Sequence, residues 1–243
     1  ITGIAEAGSI VKLYNGSTLL GSTTADSNGN FSITSSTLPD GNYLLTAISI
    51  DTDGNTSPSS SALSITVDTT APSVPSSLTN TSLGNDTTPT IIGIAEARST
   101  VKLFNGTKLL GSATADNSGN FSITSSILPD GDFSLTTTAT DAAGNSSASS
   151  SVLSLTVDTT APSAPSSLIT SDTTTNDNTP TITGIAEAGG TVKLFNGSIL
   201  LGSETADSNG NFSITSSTLP DGNYSLTTTA TDAAGNTSAS SSV

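Results

Sequence analysis

Between residues 131 and 157 apolar and polar positions alternate with a period of two. Phe133, Leu135, Thr137 and Ala139 alternate with Ser134, Thr136, Thr138 and Thr140, and Leu153, Leu155 and Val157 alternate with Ser154 and Thr156. That period puts one set of side chains on a buried face and the other toward water, which predicts half-buried β-strands. Phe121 and Ile123 make a shorter alternation, and Val101–Phe104 is parted from Leu109-Leu110 by Asn105-Gly106, a hairpin signal. No segment carries a helical period, and the abundant Thr, Val and Ile suit a pleated surface. The predicted strands are 76–83, 90–95, 100–105, 108–115, 119–125, 131–140 and 152–157. For 90–95 the pattern does not assign the inward face. About seven short strands with turn signals between them in some 90 residues predict an all-β immunoglobulin-like sandwich.

The same pattern occurs three times. Gly-Ile-Ala-Glu-Ala begins at Gly3, Gly93 and Gly184, Gly-Asn-Phe-Ser-Ile-Thr-Ser-Ser at Gly29, Gly119 and Gly210, and Leu-Pro-Asp-Gly at Leu38, Leu128 and Leu219, with offsets of 90 and 91 residues. A fixed period of this kind predicts a tandem array of sandwich domains. The expected boundaries are 1–70 for a first repeat truncated at its N-terminus, 71–160 for a complete second, and 161–243 for a third truncated at its C-terminus. Starting at Ile1 inside one repeat and stopping inside another, the chain reads as an interior piece of something longer.

Composition narrows the function classes. Twenty Asp and Glu against five Lys and Arg give a net charge of −15. Neutralising phosphates needs basic groups, so nucleic acid is not an expected partner. No apolar run approaches the roughly 18 residues of a membrane helix, and no membrane contact by this segment is expected. Without Cys or His, the Ser-His and Cys-His nucleophile pairs are absent. Two carboxylates suffice for glycoside hydrolysis, but the chain has no Trp and only nine Tyr and Phe to line a cleft. No enzyme activity is expected. With few large side chains and no disulfide, each repeat should be marginally stable alone, so that a bound ligand contributes.

In an alternating sandwich the second–third, fourth–fifth and sixth–seventh loops emerge at the pole that receives the incoming linker. That places Glu96, Asp116 and Asp141 at one pole of the second repeat, with Asp68 arriving on the linker Val67–Ser73. Asp158, Glu187, Asp207 and Asp232 make the corresponding set at the next junction, and Glu6, Asp26 and Asp51 occupy the matching loops of the first repeat. Four carboxylates in one cluster repel, by roughly 1 kcal/mol per pair at about 4 Å in water and more near protein. Calcium resolves this, since it takes six to eight oxygen ligands in irregular geometry. These acids are therefore the candidate metal ligands. Asp-x-x-Gly-Asn, as at 116–120 and 141–145, is also an ordinary turn in which Asp caps backbone amides and Gly has positive φ. Asp130 and Asp132 sit at the opposite pole and are read as a turn; Asp86, Asp172 and Asp177 lie near it, where a weaker second site is conceivable. Asn15, Asn105 and Asn196 open glycosylation sequons that double as hairpin turns, and Tyr14, Phe104 and Phe195 are expected to pack on the neighbouring strand.

The stretches NDNTPTITGIAEAGGTVKLFNG, ADSNGNFS, ATDAAGN and VDTTAPSAPSS resemble the bacterial Ig-like repeats that build the stalks of large type-I-secreted adhesins and biofilm proteins. The resemblance covers the whole chain. It implies a calcium-stiffened, extracellular, rod-like array on the bacterial cell surface, with an adhesive or spacer function. Its partners would be neighbouring repeats of the same chain and, through a distal domain, a host or neighbouring-cell surface. Arg98 departs from the pattern, standing where the other copies have Gly8 and Gly189. Near-identical copies favour a spacer; modules that themselves bind a glycan or protein are the alternative.

Overall fold

The computed structural model describes residues 1–170 and 173–241. They are all strand, turn and loop, with no helix among the described residues. Two compact units result: residues 1–72 with 140–147, and residues 73–139 with 148–243.

In the first unit β1 (Thr2–Ile4) pairs with β4 (Asn30–Ser32), while β3 (Thr18–Thr24), β2 (Ile10–Asn15), β5 (Gly41–Ile50) and β6 (Leu63–Val67) form a four-stranded antiparallel sheet in that order. Val11, Leu13, Leu20, Ile33 and Leu45 make its core. Tyr43, at the start of β5, donates its hydroxyl to the carbonyl of Pro39 at 2.7 Å, and Tyr224 does the same to Pro220. Such a corner, a tyrosine tied back to the chain just upstream, is typical of immunoglobulin-like sandwiches.

The second unit begins with β7 (Ser76–Asn80), β8 (Thr90–Ile94), β9 (Thr100–Asn105), β10 (Lys108–Thr114), β11 (Asn120–Thr124), β12 (Gly131–Thr140) and β13 (Leu153–Val157). They form one sheet ordered β11-β8-β7 and another ordered β10-β9-β12-β13. Ile91, Val101, Leu103, Leu110, Phe121, Ile123, Leu135, Leu155 and Val157 are buried in one cluster, so the period-two alternation is realised as a sandwich core. The third repeat builds the sheets β14-β15-β18 and β17-β16-β19 from β14 (Ser166–Thr170), β15 (Thr181–Ile185), β16 (Thr191–Asn196), β17 (Ile199–Thr205), β18 (Asn211–Thr215) and β19 (Leu226–Thr231). Tyr14, Phe104 and Phe195 stand opposite Leu19, Leu109 and Leu200 on the hairpin partner strand, half-buried.

Packing settles the face that the pattern left open. In β8, Ile91 and Gly93 point inward and Ile92 and Ile94 outward. A Cβ on Gly93 would lie 2.6 Å from the Phe121 ring and 2.9 Å from Leu78, so the repeated glycine makes room for an aromatic ring. The first strand of the second repeat is shorter than expected. It stops at Asn80, whose side-chain oxygen accepts the Ser82 amide at 3.0 Å and turns the chain away, leaving Leu83 71% exposed. Ser77, at φ 55°, interrupts its register with β8.

Among the described residues three buried hydroxyls, those of Thr137, Ser216 and Thr228, have no partner. Thr137 is fully buried on β12 and its Oγ1 makes no hydrogen bond, while Ala47 occupies the same place in the first repeat. A buried unsatisfied polar atom costs about 1–3 kcal/mol. Thr137→Val should therefore stabilise the second repeat by about 1 kcal/mol, read as a higher urea midpoint for β9 and β12 residues by NMR; an unchanged or lower midpoint would mean the hydroxyl is not a liability.

Candidate functional site

Each acidic loop is built around one aspartate. In the turn before β11, Asp116 Oδ1 accepts the amides of Ser118 and Asn120, both at 2.8 Å, and Gly119 takes φ 85° to close it. Asp26 and Asp207 hold their own loops in the same way. After β12, Asp141 Oδ1 accepts the amides of Gly144 and Asn145 at 2.8 and 2.9 Å, and its Oδ2 accepts the Asn145 side-chain amide at 2.9 Å. Asp232 repeats this with Gly235 and Asn236, and Asp51 holds Asp53 and Asn55. An ionised carboxylate only accepts, so it satisfies several turn amides at once. Glu6, Glu96 and Glu187 are exposed, and their backbone carbonyls close the turns onto Ser9, Ser99 and Gly190.

The linkers are held from both ends. Asp68 Oδ1 accepts the Thr70 amide at 3.0 Å. Thr69 donates its amide and hydroxyl to Asp40 Oδ1 at 3.0 and 2.7 Å, and the Thr70 hydroxyl donates to Asp40 Oδ2 at 2.8 Å. The carbonyl of Asp68 in turn accepts the side-chain amide of Asn145 at 3.0 Å. The second linker copies every element: Asp158 caps Thr160, Asp130 takes Thr159 and Thr160, and Asn236 donates to the Asp158 carbonyl at 2.8 Å. The Asp-Thr-Thr of each linker is thus tied back by the Leu-Pro-Asp-Gly loop of the domain it leaves and forward by an asparagine.

Sequence reasoning placed Asp130 in a simple turn and did not single out Asp40; both are linker anchors. The amide nitrogens of Asn145 and Asn236 make the forward bridges. The signal was present in the Thr-Thr pair, two hydroxyl donors that recur beside the same acidic turn.

Among the described residues no three acidic side chains stand together as a group that could hold a metal ion. Asp141 and Asp232 already direct both carboxylate oxygens to their own loops. Arg98 adopts φ 66° in its loop and donates Nε–H to Asn117 Oδ1 at 3.0 Å. Asp86 and Asp177 cap Thr88 and Thr179, and Asp172 lies outside the described residues.

The family model for the bacterial Ig-like domain matches residues 1–69, 76–159 and 161–243. The chain belongs to the bacterial Ig-like domain family. Exoglucanase B of Cellulomonas fimi is 31% identical over 252 aligned residues, covering 94% of this chain and 22% of that protein; the chain thus spans about a fifth of the relative's length. Among solved structures, a biofilm-associated protein BSP domain is similar over 98% of this chain and 56% of its own, at 16% identity and a TM-score of 0.29. The fibronectin(III)-like modules of Clostridium thermocellum CbhA cover 65% of this chain and 94% of theirs, at 18% identity and a TM-score of 0.38.

The hydrogen bonds of these bacterial Ig-like loops bear on titration. Hydroxyls of Thr69 and Thr70 hold the Asp40 carboxyl below the usual range, and the Thr159 hydroxyl does so for Asp130. The Asn145 side-chain amide lowers Asp141. At Asp232 burial pushes upward most strongly, yet Asn236 and the loop amides together outweigh it and the net direction is down. A folded value below the unfolded one means that the unfolded chain takes up protons first as pH drops. The stability these groups contribute is complete above the ordinary carboxylate value of about 3.9 and is lost as pH falls below it. Urea midpoints should therefore agree at about pH 7 and pH 5 and fall between about pH 4 and pH 2; a loss already complete by about pH 5 would contradict the assignment.

Proposed function

We propose that this chain is a non-catalytic extender segment of a bacterial cell-surface or secreted protein, holding other domains at a distance. The observation that carries it is the repeated tie at both linkers, Asp40 and Asp130 behind, Asn145 and Asn236 ahead. Domains joined by an untied linker reorient freely by default, and proline restricts a linker only in part. Tying the Asp-Thr-Thr of each linker backward through its threonines and forward through its aspartate carbonyl restricts it further, which is useful to a spacer and of no use to a catalyst. Membership in the bacterial Ig-like family supports the same reading, as does the near identity of the copies.

Calcium at the junctions is the second reading. The net charge of −15 and the recurrence of the acidic loops with the period of the array favour it.

Small-angle scattering on the chain tests both readings. The Asp40→Ala/Asp130→Ala variant should show a smaller average maximum dimension and a broader pair-distance distribution than the unaltered chain. If the unaltered chain already scatters like freely jointed modules, the extender reading fails. A maximum dimension that grows on adding calcium and shrinks in chelator would establish the metal; equal profiles in the two would dismiss it.

A further inference from the structure

The second unit contains a contact that the linker ties do not explain. Between β7 and β8 the turn Leu83–Asp86 is closed by the Asp86 amide on the Leu83 carbonyl at 3.1 Å. Its two central residues, Gly84 and Asn85, meet the Asp232–Asn236 loop of the third repeat. The Asn85 amide donates to the Ala234 carbonyl at 3.2 Å, and the Gly84 carbonyl accepts the Asp158 amide at 3.0 Å. Asp158 then passes its own carbonyl to Asn236 at 2.8 Å. Three backbone segments, a turn, a linker and a loop, are closed on one another by N–H to carbonyl bonds. Asn236 is only 9% exposed in consequence.

Gly84 is favoured here by space and not by backbone conformation. Its φ is not in the left-handed region, so an L-residue would be unstrained there. A Cβ at Gly84 would however lie 3.0 Å from Ala234 Cα and 3.1 Å from Ala234 Cβ. The obstacle is backbone and a methyl group, neither of which can swing aside as a long side chain would. The repeats are not uniform at these two places, although Ala143 of the second repeat matches Ala234. Thr175 stands in the turn of the third repeat where Gly84 stands in the second, and its hydroxyl accepts the Asp177 amide at 3.0 Å. On the receiving loop, the first repeat has Asp53 where the third has Ala234.

We infer that the Ser-Leu-Gly-Asn turn at 82–85 is an interaction surface that recognises an Asp-Ala-Ala-Gly-Asn loop on the following repeat, with Gly84 and Ala234 as the residues that determine the match. The partner is a bacterial Ig-like domain carrying a small residue at the Ala234 position. A repeat with Thr at the Gly84 position does not make this contact, and a loop with Asp at the Ala234 position does not receive it. Near-identical modules are thereby given unlike joints, stiff where Gly faces Ala and looser elsewhere. This deepens the extender reading and rests on it for its use in the cell.

The absence of cysteine makes the test direct. Spin labels on Ser112→Cys and Ser203→Cys, both exposed strand positions in the second and third repeats, report the distance between those repeats in the full chain. A narrow distribution is expected for the labelled parent in chelator, and Gly84→Thr or Ala234→Asp should broaden it by about twofold as domain motion returns. Leu83→Thr, at an exposed neighbour that makes no such approach, should leave it narrow. Amide spectra of each variant confirm that both repeats stay folded. An unchanged distribution in Gly84→Thr and Ala234→Asp, or a parent that narrows only when calcium is added, would overturn the pairing. Neither result would alter the scattering outcome for the Asp40→Ala/Asp130→Ala variant, so the two readings fail separately.

Discussion

The structure depends on aspartate acting as an acceptor for backbone amides. Every tight turn in a sandwich leaves N–H groups without a strand partner, and an unsatisfied one costs about as much as a lost hydrogen bond. Here one carboxylate oxygen takes two of them, at Asp26, Asp51, Asp116, Asp141, Asp207 and Asp232. In Asp51, Asp141 and Asp232 the second oxygen also orients an asparagine. At Asp141 and Asp232 that asparagine then reaches the preceding linker. Loop closure and domain joining are therefore one network, and the acidic charge is the outcome of using Asp where a turn needs an acceptor.

The same economy governs the core. With no Trp or Met and few aromatics, each repeat brings its backbone up to one phenylalanine ring. Gly3, Gly93 and Gly184 each stand 2.6 Å, as a hypothetical Cβ, from the ring of Phe31, Phe121 and Phe212. Close packing of this kind leaves little slack for a methyl group. Gly84 applies the principle between domains, where backbone approach replaces the hydrophobic area that larger interfaces use.

A spacer gains from joints that close without side-chain bulk. Amide-to-carbonyl bonds are individually modest, roughly 1 kcal/mol net, but those at the second linker share a single residue, Asp158, whose N–H, C=O and carboxylate are all engaged. Freeing any one of them lengthens the loop that the others must close. In the third repeat Thr175 stands where the second has Gly84, the residue whose carbonyl receives the Asp158 amide.

What the sequence alone determined was everything set by local periodicity: strand class, the threefold repeat, β9 and β12 to the residue, and the Asp-x-x-Gly-Asn turns. Period-two alternation reports burial directly, because successive side chains on a strand face opposite ways. The inward face of β8 was not legible, since Gly93 breaks the alternation and only Phe121 explains it. Nor was the site. Counting carboxylates at one pole suggested a cation, but whether a carboxylate faces an ion, its own turn amides or a neighbouring threonine depends on where each lone pair points. That direction is a tertiary quantity. It made anchors of Asp130, read as a turn residue, and of Asp40, and it set the amide nitrogens of Asn145 and Asn236 on the linker carbonyls. The contact of Gly84 with Ala234, 150 residues apart in the chain, could come only from two domains already folded and set end to end.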